Sequence, residues 1–232
     1  MKNINVCPFC MHDIGEDKDH VKNDVCPYCE TRKSTGRTRA LYHLVRLLKN
    51  DICLFERPKL LAFSMSSLEK DAFVDAFPCV LEDDIQSVSL YGQYLKKSHH
   101  ISGMDARDLS HFESKSFNVI YSCLLYDYFP EHEKALREAY RVLSDKGVFL
   151  THIAAYRLED NDKEPYVKRK IETRQDYMSY IPNNSEVYDV HVGKLWFIEM
   201  MKKVGFGVRV YDFKDPLYNG DVTWFVGIKN ES

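Results

Sequence analysis

Phe117-Asn118-Val119-Ile120-Tyr121-Ser122, then Ala135-Leu136-Arg137-Glu138-Ala139-Tyr140-Arg141-Val142-Leu143, then Gly147-Val148-Phe149-Leu150-Thr151-His152-Ile153 decide the fold of this chain. The first and third runs are short and apolar, with the β-branched and aromatic residues of buried strands. Between them Ala135, Leu136, Ala139, Val142 and Leu143 recur at helical spacing and form one inner stripe. Pro130 opens that helix, Glu131 and Glu133 complement its N-terminal dipole, and Lys146-Gly147 is expected to end it. Strand, crossover helix and strand in this order make a parallel pair.

The same alternation extends both ways. Upstream, Lys59-Leu60-Leu61-Ala62-Phe63 reads as a buried strand and Leu68 to Phe77 as a helix stopped by Pro78. Ser87 to Leu90 and His100 to Ser102 read as further strands. Downstream, residues 157–187 break the rhythm. They are polar and charged, with a helix expected around Thr173 to Tyr180, and a long insertion after a central strand suits a lid or substrate-binding segment. Leu195 to Val204 is a helix capped by Gly205. Gly207 to Phe213 and Val222 to Ile228 close the chain, joined by the turn residues Asp215-Pro216-Leu217-Tyr218-Asn219-Gly220, and pair as an antiparallel hairpin. The fold class is α/β, a Rossmann-like and mostly parallel sheet with a C-terminal antiparallel hairpin.

Ahead of this domain stand Cys7-Pro8-Phe9-Cys10 and Cys26-Pro27-Tyr28-Cys29. Each pair forms a knuckle, and two knuckles supply four thiolates in a tetrahedron, the closed arrangement of structural Zn2+. Disulfides are the rival reading. Met1-Lys2-Asn3-Ile4-Asn5 has no apolar run, which argues against an oxidising compartment and for a cytoplasmic one. Four cysteines leave no open position, so this zinc is expected to clamp and not to catalyse. The other cysteines, Cys53, Cys79 and Cys123, read as buried small apolar residues. The expected organisation is a zinc ribbon over 1–35, a basic linker helix over 36–57 and the main domain over 58–232, with the lid near 157–192.

The chain has 232 residues and a net charge of −3. That length carries one full-sized domain beside the ribbon, and no stretch approaches the roughly 18 apolar residues of a membrane span. A near-neutral balance does not favour a general nucleic-acid binder, although a local patch remains open. In the linker, Leu41, Leu44, Val45 and Leu48 share a face, and Arg37, Arg39, His43, Arg46 and Lys49 occupy the rest. The expectation there is a solvated face, with anion or nucleic-acid docking as the alternative.

The central third resembles the class I S-adenosylmethionine (SAM)-dependent methyltransferases of type 11. The residues that carry the resemblance are Gly103-Met104-Asp105-Ala106-Arg107-Asp108-Leu109, the strand Phe117 to Ser122, and the helix ending Glu138-Ala139-Tyr140-Arg141-Val142-Leu143 before Gly147. The resemblance implies that Asp105 accepts a hydrogen bond from the adenine amino group and that the Ala106 N–H meets a ring nitrogen. It places Ser122 and Cys123 beside the methionine end, at the strand edge where open α/β sheets bind ligands. The first loop, Phe63-Ser64-Met65-Ser66-Ser67-Leu68-Glu69, has no glycine. Ser64 and Ser66 are the expected contacts for a carboxylate, helped by the following helix N-terminus. Asn118 stands where the pattern usually has Asp.

Methyl transfer to oxygen or nitrogen calls for a base or an aligned nucleophile. The candidates are Tyr128, in Tyr126-Asp127-Tyr128, and Asp189 and His191, in Tyr188-Asp189-Val190-His191. His191, read as lying on a surface turn, is the expected base. His152 reads as a satisfied core histidine. The expected reaction is methyl transfer from SAM to a small-molecule or sugar-like biosynthetic intermediate. Its alternatives are an inactive scaffold of the same fold, or an RNA or protein modifier docking through ribbon and basic helix.

Overall fold

Alternate residues along the central strands go to opposite faces of one sheet. Leu60, Ala62, Val119, Tyr121, Val148, Leu150, Trp224 and Val226 belong to one core. Leu61, Phe63, Ile120, Phe149 and Phe225 belong to another. A period of two with both faces apolar is the pattern of a sheet buried between two layers. The computed structural model describes residues 2–3, 7, 12, 36–52, 54–63, 65–77, 79, 85–89, 101–102, 105–171, 188–215 and 220–231.

Among these, the first part of the chain forms β1 (Lys2–Asn3), α1 (Gly36–Leu47), α2 (Lys49–Ile52), β2 (Leu60–Phe63), α3 (Ser67–Ala76), β3 (Ile85–Ser89) and β4 (Ile101–Ser102). The centre forms β5 (Phe117–Cys123), α4 (His132–Val142), β6 (Leu143–His152), β7 (Leu158–Glu159) and β8 (Tyr166–Lys170). The end forms β9 (Tyr188–Gly193), α5 (Lys194–Val204), β10 (Phe206–Asp215) and β11 (Gly220–Lys229). The main sheet runs β1-β10-β11-β6-β5-β2-β3-β4. From β6 to β4 every pairing is parallel. The expected hairpin is present: β11 runs antiparallel to both β10 and β6. Residues of α1 and α3 pack on the first face, and residues of α4 and α5 on the second.

Three local expectations are corrected. Helix α4 ends at Val142, well before Lys146-Gly147. Leu143 is drawn into the ladder opposite Phe117, and Lys229 Nζ caps the last turn by donating to the Tyr140 and Leu143 carbonyls at 2.8 and 2.7 Å. Gly147 therefore sits inside β6. A Cβ there would lie 2.7 Å from Leu143 Cγ, so no larger residue fits. The basic linker is solvated only in part: Arg46 and Lys49 are exposed and Arg37 and His43 half-buried, but Arg39 is 1% exposed, and Thr38 and Tyr42 beside it are buried. The apolar stripe is wide enough that the Arg39 stem is drawn in beside it. The insertion holds strands, because β7, β9 and β8 make a second sheet. The helix expected around Thr173 to Tyr180 lies outside the described residues, as do Cys10, Cys26, Cys29, Cys53 and Ser64.

Asn118 also gains an account. Its Oδ1 accepts from the Lys59 N–H at 2.9 Å, and its Nδ2 donates to Ser144 Oγ at 3.0 Å. The amide stitches the beginnings of β2, β5 and β6 together, at the end of the sheet away from Ser122. An amide can accept and donate at once, which a carboxylate cannot.

Candidate active site

The C-terminal ends of β2, β5 and β6 lie side by side, with Phe63 opposite Ser122, Ser122 opposite Thr151 and Cys123 opposite His152. Ser122 Oγ donates to Thr151 Oγ1 at 2.8 Å, and both residues are buried. Cys123 is buried as expected, and burial pushes its thiol far up, so it stays neutral. His152 is the satisfied core histidine the sequence suggested. Its Nδ1 lies 2.8 Å from the Thr223 carbonyl, and burial pushes it down to about 4. Beyond Cys123 the chain turns sharply: Leu124 has φ 56°, a left-handed conformation rare for a branched residue, while its N–H donates to the His152 carbonyl at 2.9 Å. Strain of this kind concentrates at ligand-binding edges.

On the first-loop side, Ser66 caps α3. Its Oγ accepts from the Glu69 N–H at 3.3 Å, and Glu69 Oε2 accepts from the Ser66 N–H at 2.8 Å, a reciprocal capping box. The Ser66 oxygen thus accepts within the helix, while its O–H keeps its capacity to donate. Glu69, with 1% of its side chain exposed, also meets Arg37 Nε at 3.3 Å.

The Asp105 loop is held from α4. Glu138 Oε2 accepts from the Leu109 N–H at 2.8 Å. Arg141 donates to the carbonyls of Phe112 and Leu109, each at 2.8 Å, and is itself held by Glu138. The Glu-x-x-Arg pair of the motif is therefore a clamp on residues 105–112. Within the loop, the Asp105 carboxylate accepts from the Arg107 N–H and guanidinium at 2.6 to 3.0 Å, and Arg107 continues to Glu131 at 2.9 Å. Asp105 caps its own turn and stays half-exposed, next to buried Ala106.

The acid–base candidates converge. Arg157, 4% exposed, donates from Nε to Asp189 Oδ1 at 2.7 Å. Its guanidinium lies 4.9 Å from the Tyr128 ring centroid and 5.0 Å from that of Tyr156. His191 Nε2 is 3.8 Å from Asp189 Oδ1, and its Nδ1 is 3.6 Å from Glu159 Oε1. Tyr166 stacks on the imidazole, 5.6 Å between centroids, and donates its hydroxyl to Glu159. His191 is not on a surface turn. It sits on β9, 6% exposed, because Val190 and Val192 alternate with it into the body of the molecule.

Asp127 completes the group. It is fully buried, accepts from the Ala154 N–H at 3.0 Å and lies 3.5 Å from Arg157 NH1. Burial pushes its carboxyl up to about 6 against the pull of Arg157. Asp127 Oδ2 and Arg157 NH1 make no hydrogen bond among the described residues. Burial pushes Tyr128 up to about 12, so it is a protonated donor at neutral pH. The Asp127 and Tyr128 carbonyls accept from the Val190 and Tyr188 N–H groups at 3.0 and 3.1 Å, which ties the second sheet to the loop after β5. Sequence reasoning found Tyr128, Asp189 and His191 but missed Arg157 and Glu159, which join them. The one available signal was a charged residue directly after the run Ile153-Ala154-Ala155-Tyr156.

Tyr126 is a core residue, 2% exposed, ringed by Phe129, His132 and Phe197. Of the four ribbon cysteines only Cys7 is described; it is buried, and its N–H donates to the His12 carbonyl at 2.9 Å. Among the described residues no group of three or more His, Cys, Asp or Glu could hold a metal. Nor, among them, is any helix long and apolar enough to cross a membrane.

Residues 82–151 match the family described as "Methyltransferase domain". Solved structures share the fold. The S-adenosylmethionine dependent methyltransferase from Mesorhizobium loti aligns with a TM-score of 0.55 at 12% identity, over 82% of this chain and 98% of that one. The 1,6-didemethyltoxoflavin-N1-methyltransferase of Burkholderia thailandensis, solved with 1,6-didemethyltoxoflavin and S-adenosylhomocysteine bound, aligns with a TM-score of 0.53 at 10% identity, over 84% and 79%. A SAM-dependent methyltransferase of Methanosarcina mazei gives a TM-score of 0.50 at 12% identity, over 77% and 95%. No curated protein matches the chain. The family match covers residues 82–151, and the solved structures show that the rest of the domain shares the same fold.

Proposed function

We propose that this protein methylates a small-molecule or sugar-like biosynthetic intermediate, binding the acceptor between the β5 loop and the second sheet. The observation that carries this reading is the convergence of Tyr128, Asp189 and His191 around Arg157 beside the C-terminal edge of β5 and β6. The half-exposed Asp105 carboxylate beside buried Ala106 suits an adenine amino group, and the apolar floor from Phe63 to Cys123 suits the methionine end. SAM, when bound, supplies an electrophilic methyl group.

The chain's own residues supply the rest. His191 accepts the acceptor's O–H or N–H proton. Asp189 near Nε2 and Glu159 near Nδ1 then stabilise the imidazolium. Tyr128 donates a hydrogen bond to the acceptor, and Arg157 fixes Asp189 and the Tyr128 ring. The Burkholderia enzyme named above holds 1,6-didemethyltoxoflavin, and the buried Arg157, Asp189 and His191 suit an acceptor of similar, small-molecule size.

Isothermal titration of the full chain with SAM tests the cofactor reading directly, and absence of binding at millimolar ligand sinks it. His191→Gln is expected to lower kcat by roughly a hundredfold or more while SAM affinity stays unchanged. Cys7, Cys10, Cys26 and Cys29 are proposed to hold one structural zinc. Metal analysis of the purified chain before and after Cys26→Ser checks it, with zinc expected only before.

A further inference from the structure

We propose that Arg37, from the helix that joins the N-terminal segment to the domain, binds the α-carboxylate of the cofactor. This rests on the SAM reading above. A carboxylate is the only negative charge SAM carries, and the first loop after β2 is where it is expected. That loop lacks the glycines that let peptide N–H groups approach closely. The N-terminus of α3 is already taken, because Glu69 places its own carboxylate on the Ser66 N–H and is sealed from solvent. A helix start occupied by its own anion offers little to a second one.

Arg37 supplies what these two features withhold. Its Nε is engaged by Glu69 at 3.3 Å, and its side chain is 34% exposed against 1% for Glu69. Among the described residues its NH1 and NH2 groups make no hydrogen bond. Glu69 thus fixes the plane of a fork whose two terminal nitrogens match a carboxylate bidentately. Through Glu69, whose other oxygen holds the Ser66 N–H, Arg37 stands beside the loop that follows β2. The capping box and the arginine form one unit. The carboxylate that caps α3 from within orients the cation that receives the ligand.

The test compares SAM with decarboxylated SAM, which keeps the adenosine, sulfonium and amine but lacks the carboxylate. Binding of each to the full chain is measured by titration calorimetry for the unchanged protein, Arg37→Gln and Arg37→Lys. Arg37→Gln is expected to weaken SAM by about tenfold to a hundredfold and to leave decarboxylated SAM unchanged. Arg37→Lys, which keeps the charge and loses the fork, is expected to show a smaller loss, again for SAM alone. Equal losses for both ligands, no loss for SAM, or tighter binding on removal of Arg37 would each overturn the assignment. An unchanged protein that binds neither ligand overturns the cofactor reading itself, and the assignment with it.

Discussion

His132, His152 and Asp127 are buried and titrate in opposing senses. Burial pushes both histidines down to about 4, so their neutral forms support the fold at pH 7. That support is withdrawn as pH falls from about 6.5 through 4, at about 3 kcal/mol apiece. Asp127 titrates at about 6 when folded and near 3.9 when unfolded, so acidification relieves its buried charge by a similar amount over the same window. Two losses outweigh one gain, and stability is expected to fall between about pH 6.5 and 4. Asp127→Asn removes the opposing gain. Its unfolding midpoint in urea is expected to drop more steeply on acidification than that of the unchanged protein, and an equal slope would contradict the assignment. None of these positions was legible as titrating from sequence. Apolar neighbours identify a core histidine, as they did for His152, but a raised carboxyl needs an enclosure made by segments thirty residues apart.

Elements were read better than their ends. The strand, helix and strand around Phe117 to Ile153 formed as the periodicity required, because both faces of the sheet are covered and the apolar pattern has no other solution. The helix end failed because a tertiary partner, Phe117, captured Leu143. The Glu-x-x-Arg turn of α4 has its purpose in the loop it holds. Arg141→Met is expected to release the Leu109 and Phe112 carbonyls and to raise hydrogen exchange at residues 105–112, with a stability cost of about 1–3 kcal/mol. Gly205 ends α5 with φ 121°, and a Cβ there would come within 2.9 Å of the Tyr140 ring. Gly205→Ala is expected to lower the melting temperature by several degrees, at about 2–4 °C per kcal/mol for a domain of this size. No change in Tm would mean that Tyr140 gives way freely.

At the scale of the molecule, the second sheet and the main sheet are pinned through Asp127, Arg157 and Asp189. Arg157→Met leaves Asp127 enclosed without its cation and Asp189 with only Arg169, at 3.5 Å, so a loss of about 3–5 kcal/mol is expected. Faster hydrogen exchange in β9 than in β5 would show that the second sheet detaches first. The overall architecture was legible, since strand and helix alternation with a closing hairpin admits few topologies. The second sheet was not. Tyr166 to Lys170 is entirely exposed and highly charged, so it lacks the burial pattern by which strands are recognised.

Lys2 and Asn3 pair in parallel with Phe213 and Lys214 of β10. Residues 2–3 thus find their place only against a strand that lies far downstream in the sequence. During synthesis the N-terminal segment has no edge to join until β10 has emerged and docked on β11. β1 can close only after that hairpin has formed, which makes it a late seal over an edge that would otherwise offer itself to other chains.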